Sequence, residues 1–247
     1  MSDGDFYIGY EPTAPPAVAA RVRMAVLAAV VVVLTVAGVA MGLHAPLRPA
    51  RFDFGRPRQL GGRLARLPYP SLTTGDGTAL LVGRGKHGAE ASVAAVRDGE
   101  VTVQGTAIER GGQRMFEVVP GSVSGVPAAA SWSGSPAAPG DGPVVTLTGE
   151  IVDGKCFLGV MNPGEGAVHR DCAGLCLRGG VPPMLLVRDG QGREALVLLV
   201  GADGRAVGRD LADLAGLPVT VTGRLSREGD QAVFAAEPSD YRLTTAR

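Results

Sequence analysis

The segment VTVQGTAIERGGQRMFEVVP, from Val101 to Pro120, returns without a gap as VTVTGRLSREGDQAVFAAEP, from Val219 to Pro238. Val101 matches Val219, Gly105 matches Gly223, Gly111 matches Gly229, Gln113 matches Gln231, Phe116 matches Phe234 and Pro120 matches Pro238. The tetrapeptide LLVG at Leu80 recurs at Leu198 with the same offset. Chance likeness between two hairpins would not carry one offset across an upstream strand and a hairpin, so the pattern marks a duplicated supersecondary unit. The chain is expected to fold as two related units.

Each unit is expected to be mostly β. Glycine (37 of 247 residues) and proline (18) are plentiful while aromatics are only 4%, a balance that favours short strands joined by many turns over long packed helices. In the first copy Gln59 to Leu67 predicts a strand with a glycine bulge, Ala79 to Val82 a buried strand, Glu90 to Val96 a short helix, and Val101 to Ile108 with Arg114 to Val119 a hairpin about the GGQ turn. In the second, strands are expected over Val144 to Val152 (with an extension towards Gly159), Met184 to Arg188 and Glu194 to Val200. A short helix over Asp210 to Leu214 and a hairpin over Val219 to Leu225 and Ala232 to Ala236 follow. The opening strands correspond too, Leu60, Gly62 and Leu64 with Leu147, Gly149 and Ile151, but at a shorter offset, so the second copy holds an insertion of roughly thirty residues before its LLVG strand. This order resembles the OB-fold, a five-stranded Greek-key barrel that binds ligands over one sheet face and through loops including the one between strands one and two. The expected organisation is a tail at 1–20, a transmembrane helix at 21–43, OB-like domains at 48–123 and 143–247, and a Gly/Ser/Pro/Ala-rich linker at 124–142 that carries Trp132.

Between Arg21 and Leu43 lies an apolar run without a charge after Arg23, with Met24, Val30, Val33, Val36 and Met41 along it, long enough for a bilayer. More than twenty residues precede it, including Asp3, Asp5 and Glu11, which suits an uncleaved anchor better than a cleaved signal peptide with its short basic start. Arg48, Arg51, Arg56 and Arg58 after the helix pull that side inward, but long domains cross largely regardless of such charges. The expected location is therefore a bacterial cytoplasmic membrane, single-pass, with the C-terminal domains on the periplasmic or extracellular side. The aromatic cluster Phe6, Tyr7 and Tyr10 in the tail suits the membrane interface or a short docking motif for a partner in a membrane complex.

The insertion holds every cysteine of the chain, Cys156, Cys172 and Cys176, together with His169. His169, Cys172 and Cys176 are spaced i, i+3 and i+7, so on a helix they share one face, and Gly179, Gly180, Pro182 and Pro183 would stop such a helix near Leu177. With Cys156 they form a Cys3His set suited to zinc, copper(I) or an iron–sulfur cluster, with Asp153, Met161 and Asp171 as accessory candidates. A disulfide from Cys156 to Cys172 or Cys176 is the competing fate in an oxidising compartment, and it would leave one thiol over. Lys86 and His87, in GRGKHGA of the first copy, read as an ordinary surface loop at a strand exit.

At these residues the chain resembles bacterial secreted or membrane-anchored proteins of unassigned function that carry a G-x-V-V-D-x-x-C strand end followed by H-x-x-C-A-x-x-C-x-x-G-x-P. Here the pattern is Gly149, Ile151, Val152, Asp153 and Cys156, then His169, Cys172, Ala173, Cys176, Gly179 or Gly180, and Pro182. The resemblance covers Gly149 to Val187 and implies no activity. No P-loop spacing, nucleophile elbow or CxxCH haem site is present, and no acid/base pair points to a hydrolase, so a non-enzymatic role is favoured. A net charge of zero with few aromatics argues against a nucleic-acid groove. The expectation is a membrane-tethered extracytoplasmic accessory or electron-transfer protein with a Cys/His metal or redox site. The alternative is a non-catalytic assembly module whose cysteines form a structural disulfide.

Overall fold

The computed structural model describes residues 14–43, 50–127 and 140–244. The chain divides into two compact units, 1–47 and 48–247. In the first, α1 (Pro16–Leu43) starts earlier than the expected Arg21, since proline is well suited to a helix's first position. Its stretch Pro16–Ala40 has a mean hydropathy of 2.5, apolar and long enough to cross a bilayer or to serve as a signal sequence. Met24, Val30, Val33 and Val36 are exposed along it, and Met41 lies in its last turn. Thr35, a hydroxyl inside the apolar run, donates back to the carbonyl of Val31 (2.8 Å) and so leaves the helix no unsatisfied polar side chain there. The tail motif at Phe6, Tyr7 and Tyr10, and Trp132, lie outside the described residues.

The second unit contains the repeat. The first copy runs β1 (Ala50–Phe52), β2 (Arg58–Ala65), β3 (Ser71–Thr74), β4 (Gly77–Val82), α2 (Glu90–Val93), β5 (Val96–Arg110), β6 (Gln113–Val118) and β7 (Ser124–Pro127). The second runs β8 (Val144–Asp153), α3 (Arg170–Arg178), β9 (Pro183–Arg188), β10 (Glu194–Val200), β11 (Pro218–Glu228), β12 (Gln231–Ala235) and β13 (Arg242–Leu243). In the first copy β2 pairs with β3 and β5, β3 with β4, β4 runs parallel to β6, and β6 returns antiparallel to β5. In the second, β8 pairs with β9 and β11, β9 with β10, β10 runs parallel to β12, and β12 closes on β11. Each is a closed five-stranded barrel with OB topology.

The duplication holds at the level of register. Leu80 pairs with Met115 and Ile108 with Met115 in the first barrel. Leu198 pairs with Val233 and Ser226 with Val233 in the second, at the same offset that the sequences share. The repeated Gly and Phe are one packing device. A Cβ on Gly105 would lie 2.5 Å from the Phe116 ring, and one on Gly223 would lie 2.8 Å from the Phe234 ring, so in both barrels the bare glycine lets the aromatic lie across the neighbouring strand. Phe116 and Phe234 are the largest wholly buried side chains of their cores.

Several boundaries differ from expectation. The strand β3 was not anticipated, because SLTT is short and polar; only Leu72 is wholly buried, and the strand exists because Thr74 pairs with Gly77 across a two-residue turn. Ser124–Pro127, expected to begin the linker, is a strand against β5, while residues 128–139 lie outside the described residues. The helix expected at Asp210 to Leu214 shrinks to one 3₁₀ turn, Ala212–Leu214. The first strand of the second copy does not extend towards Gly159: it ends at Asp153, and the backbone then winds into a π-type turn, Cys156–Val160.

Besides a core inside each barrel, a third apolar cluster is shared by both, with Leu80, Ile108 and Met115 from the first copy against Val152, Met184 and Leu198 from the second. Tyr69 ties the two together. Its buried hydroxyl donates to the Leu199 carbonyl (3.0 Å) and accepts from the Val207 amide (3.0 Å). Cys156 and Cys176 belong to this shared cluster, and Cys172 packs against it.

Candidate metal centre

The insertion between β8 and β9 is built outward from Asp153, the last residue of β8. Its carboxylate is wholly buried and accepts two hydrogen bonds, from the Cys156 amide to Oδ1 (2.8 Å) and from His169 Nε2 to Oδ2 (2.9 Å). A buried carboxylate without such partners would cost several kcal/mol of stability, so these bonds fix both ends of the loop. The first bond turns the chain so that Cys156 leaves the strand pointing into the shared cluster. The second holds His169 just before α3, where Asp171 in the first turn complements the helix dipole. The expected helix is thus present. Gly179 caps it, and Gly180 follows in the left-handed conformation (φ 97°).

Cys172 and Cys176, one turn apart on α3, meet Cys156 from the π-type turn. The sulfurs of all three lie within 4.8 Å of one another. Cys156 (4% exposed) and Cys176 (1%) are buried, Cys172 is half-buried, and all three are free. Cys156 and Cys176 interact through a side-chain hydrogen bond. That bond, reinforced by burial and by the Asp153 charge, drives the Cys156 thiol far up, and the same bond draws Cys176 below the ordinary thiol value, with the Lys86 charge helping.

The structure divides the expected Cys3His set. His169 falls in a second buried group with Asp153 and Cys156, outside the one that holds Cys172 and Cys176, because its ring is turned to the Asp153 carboxylate. Among the accessory candidates Asp153 is at the centre. Asp171 is exposed on the outer face of α3, and Met161 is 46% exposed where the π-type turn ends.

Lys86, which the sequence placed in an ordinary surface loop, is part of this centre. Its Nζ donates to Cys172 Sγ at 2.6 Å, a bond that holds the ammonium above its usual lysine value. Several contacts between the copies bring it there. The Gly88 amide donates to the Gly179 carbonyl (2.9 Å), and a Cβ on Gly179 would lie 1.8 Å from the Lys86 carbonyl, so only glycine lets the loop come this close. From the other side Lys155, itself 2% exposed, donates from Nζ to the carbonyls of Gly83 and Gly85 (2.7 Å each) and pairs with Glu117 (2.5 Å). Arg110 lies over the Phe157 ring (4.2 Å) and donates to its carbonyl (2.9 Å). The site therefore sits at the junction of the two barrels and is furnished by both. In sequence Lys86 stands only at the exit of the first copy's LLVG strand, and no local signal marks it as reaching the second copy's insertion.

Comparison with protein-family models and with curated proteins gives no match. A solved structure of a deletion mutant of the single-stranded DNA-binding protein from Thermus aquaticus is similar at 14% identity and a TM-score of 0.22, over 81% of this chain and 89% of that one. The described residues form two closed OB-like barrels whose junction holds a three-cysteine group and an Asp/Cys/His group, either of which could hold a metal ion.

Proposed function

We propose that this protein is a membrane-tethered extracytoplasmic accessory or electron-transfer component of a membrane complex, with a cysteine metal or redox centre at the junction of its two barrels. The observation that supports it is the convergence of three free cysteine sulfurs in an otherwise apolar cluster, with a lysine from the other copy on the one sulfur that reaches solvent. Soft sulfur donors brought together from the two ends of one insertion suit a thiophilic metal. The apolar α1, long enough to cross a bilayer, supports an anchor with both barrels on the outer side of a bacterial cytoplasmic membrane, since long domains cross largely regardless of flanking charges. Zero net charge and sparse aromatics keep nucleic acid outside the proposal. Anaerobic purification of the full chain in detergent, followed by elemental analysis and a thiol count, tests it. Stoichiometric metal with three reduced thiols is expected. No metal after anaerobic reconstitution, together with two stably oxidised cysteines, would replace the reading with that of an assembly module stapled by a disulfide.

A further inference from the structure

We infer that the centre takes one divalent thiophilic ion, zinc by its chemistry, bound by Cys156, Cys172 and Cys176 with its fourth coordination position open, and that Lys86 of the first barrel makes this charge selection. The inference rests on the metal reading above and names the ion and its coordination.

Spacing comes first. Around a single ion with zinc–sulfur bonds of about 2.3 Å, three sulfurs lie about 3.8 Å apart in a tetrahedral arrangement and about 4.0 Å apart in a trigonal one. Mutual separations within 4.8 Å suit one ion. An iron–sulfur cluster spreads its thiolates over at least two irons, so some sulfur pair must span two metal–sulfur bonds and the gap between the irons, which this group is too tight to do.

Charge comes second. Three thiolates and the Lys86 ammonium sum to two negative charges, and Cys156 and Cys176 are buried among Leu80, Ile108, Met115 and Met184. Buried net charge is strongly disfavoured, and a dication brings this set to zero whereas copper(I) leaves one charge uncompensated. The Asp153 carboxylate beside Cys156 can only add to that negative remainder, so it favours the dication in the same direction.

Donor count comes third. Among the described residues no fourth Cys, His, Asp or Glu joins the three sulfurs, and His169 is turned away to Asp153. A structural zinc site has four protein ligands, while a site with three keeps a position for an exchangeable ligand. Cys172 is the donor that reaches solvent, so that position lies on its side of the group. Zinc does not cycle between oxidation states, so the centre binds or presents a ligand and does not itself carry electrons.

The test uses the full chain in detergent, reduced, stripped of metal and titrated anaerobically with cobalt(II) as the optical stand-in, then with zinc and, separately, copper(I). One cobalt per chain, displaced by one zinc, is expected, with sulfur-to-metal charge-transfer absorption of three thiolates and visible bands that shift when imidazole or thiocyanate is added. Visible bands that ignore both added ligands overturn the open position. More than one metal per chain, or tight copper(I) with no cobalt or zinc, overturns the inference while leaving a metal centre in place. No binding of any metal overturns both. Lys86→Met should weaken cobalt and zinc binding by about 10- to 100-fold, the usual effect of removing a hydrogen-bond partner of a ligand, without changing melting of the metal-free protein, and Lys86→Arg should restore much of the loss. Unchanged affinity in Lys86→Met removes the lysine from the account.

Discussion

Lys155→Met tests whether the two barrels are held as one unit by a polar lock and not by apolar contact alone. The lysine is 2% exposed, and its Nζ reaches the Gly83 and Gly85 carbonyls and the Glu117 carboxylate, all of the other copy. Methionine keeps the apolar stem and removes only the charge and its donors. Glu117, whose side chain is 17% exposed, then keeps a largely buried carboxylate without its cation, a change that costs about 3–5 kcal/mol. The buried Gly83 carbonyl loses its donor for about 1–3 kcal/mol more, while the exposed Gly85 can turn to water. Because the two losses share one group they do not add in full, and about 4–6 kcal/mol is expected, a large part of the stability of an ordinary domain. For a unit of this size that lowers Tm by about 10–20 °C. The assay is thermal unfolding of the metal-free, reduced protein by circular dichroism, so that metal linkage does not contribute. Lys155→Met with Glu117→Gln should recover about half of the loss, since the stranded charge is gone. A drop below about 1 kcal/mol in the single variant, or no recovery in the double one, would refute the lock and assign the junction to apolar packing.

How far the sequence disclosed this arrangement depends on the range of each interaction. The barrels were legible because their signals are local or repeated: alternating strands, GGQ and EGD turns, and a hairpin that occurs twice in one register. Helix α3 was legible from its glycine and proline stop, and the three cysteines from their scarcity. What could not be read was long-range. The bond from Lys86 to Cys172 joins residues from different copies, and nothing near GRGKHG marks that loop as lying against an α3 that only the other copy possesses. That His169 falls in a group with Asp153 and Cys156, apart from Cys172 and Cys176, was hidden for the same reason. Helical spacing aligned it with the cysteines, but its ring is hydrogen-bonded to the buried Asp153, sixteen residues away. The short β3 was lost to its polarity, which the hairpin overrides. The shared cluster was hidden because it too is long-range. Its strand faces read as ordinary barrel exteriors until the partner that covers them is in place.

Two further outcomes follow from contacts at the junction. Gly179→Ala places a methyl against the Lys86 carbonyl, where backbone and not a flexible side chain is in the way, so the 83–88 loop must retreat and carry Lys86 from Cys172. Cobalt affinity should fall by about 10-fold or more, while Gly190→Ala, which meets nothing within 4 Å, leaves it unchanged; equal affinities would refute the close approach. The second concerns two buried tyrosines. Tyr69 has both a donor and an acceptor, and Tyr69→Phe strands the Leu199 carbonyl and the Val207 amide at a cost of about 1–3 kcal/mol at neutral pH. Tyr241 is as buried, but its hydroxyl has no partner among the described residues, so Tyr241→Phe should be neutral or stabilising. Burial is the largest cause of the raised pKa of both phenols. A group whose folded pKa is raised contributes stability that is whole below its unfolded pKa, about 10 for tyrosine, and lost above it. Between the unfolded and folded values each phenol should steepen the alkaline loss by about 1.4 kcal/mol per pH unit. Each phenylalanine variant should remove one such increment, so Tyr69→Phe starts weaker at neutral pH yet loses stability more slowly above pH of about 10. Denaturant unfolding across that range measures it. A slope unchanged in both variants would mean that neither phenol's burial governs alkaline unfolding.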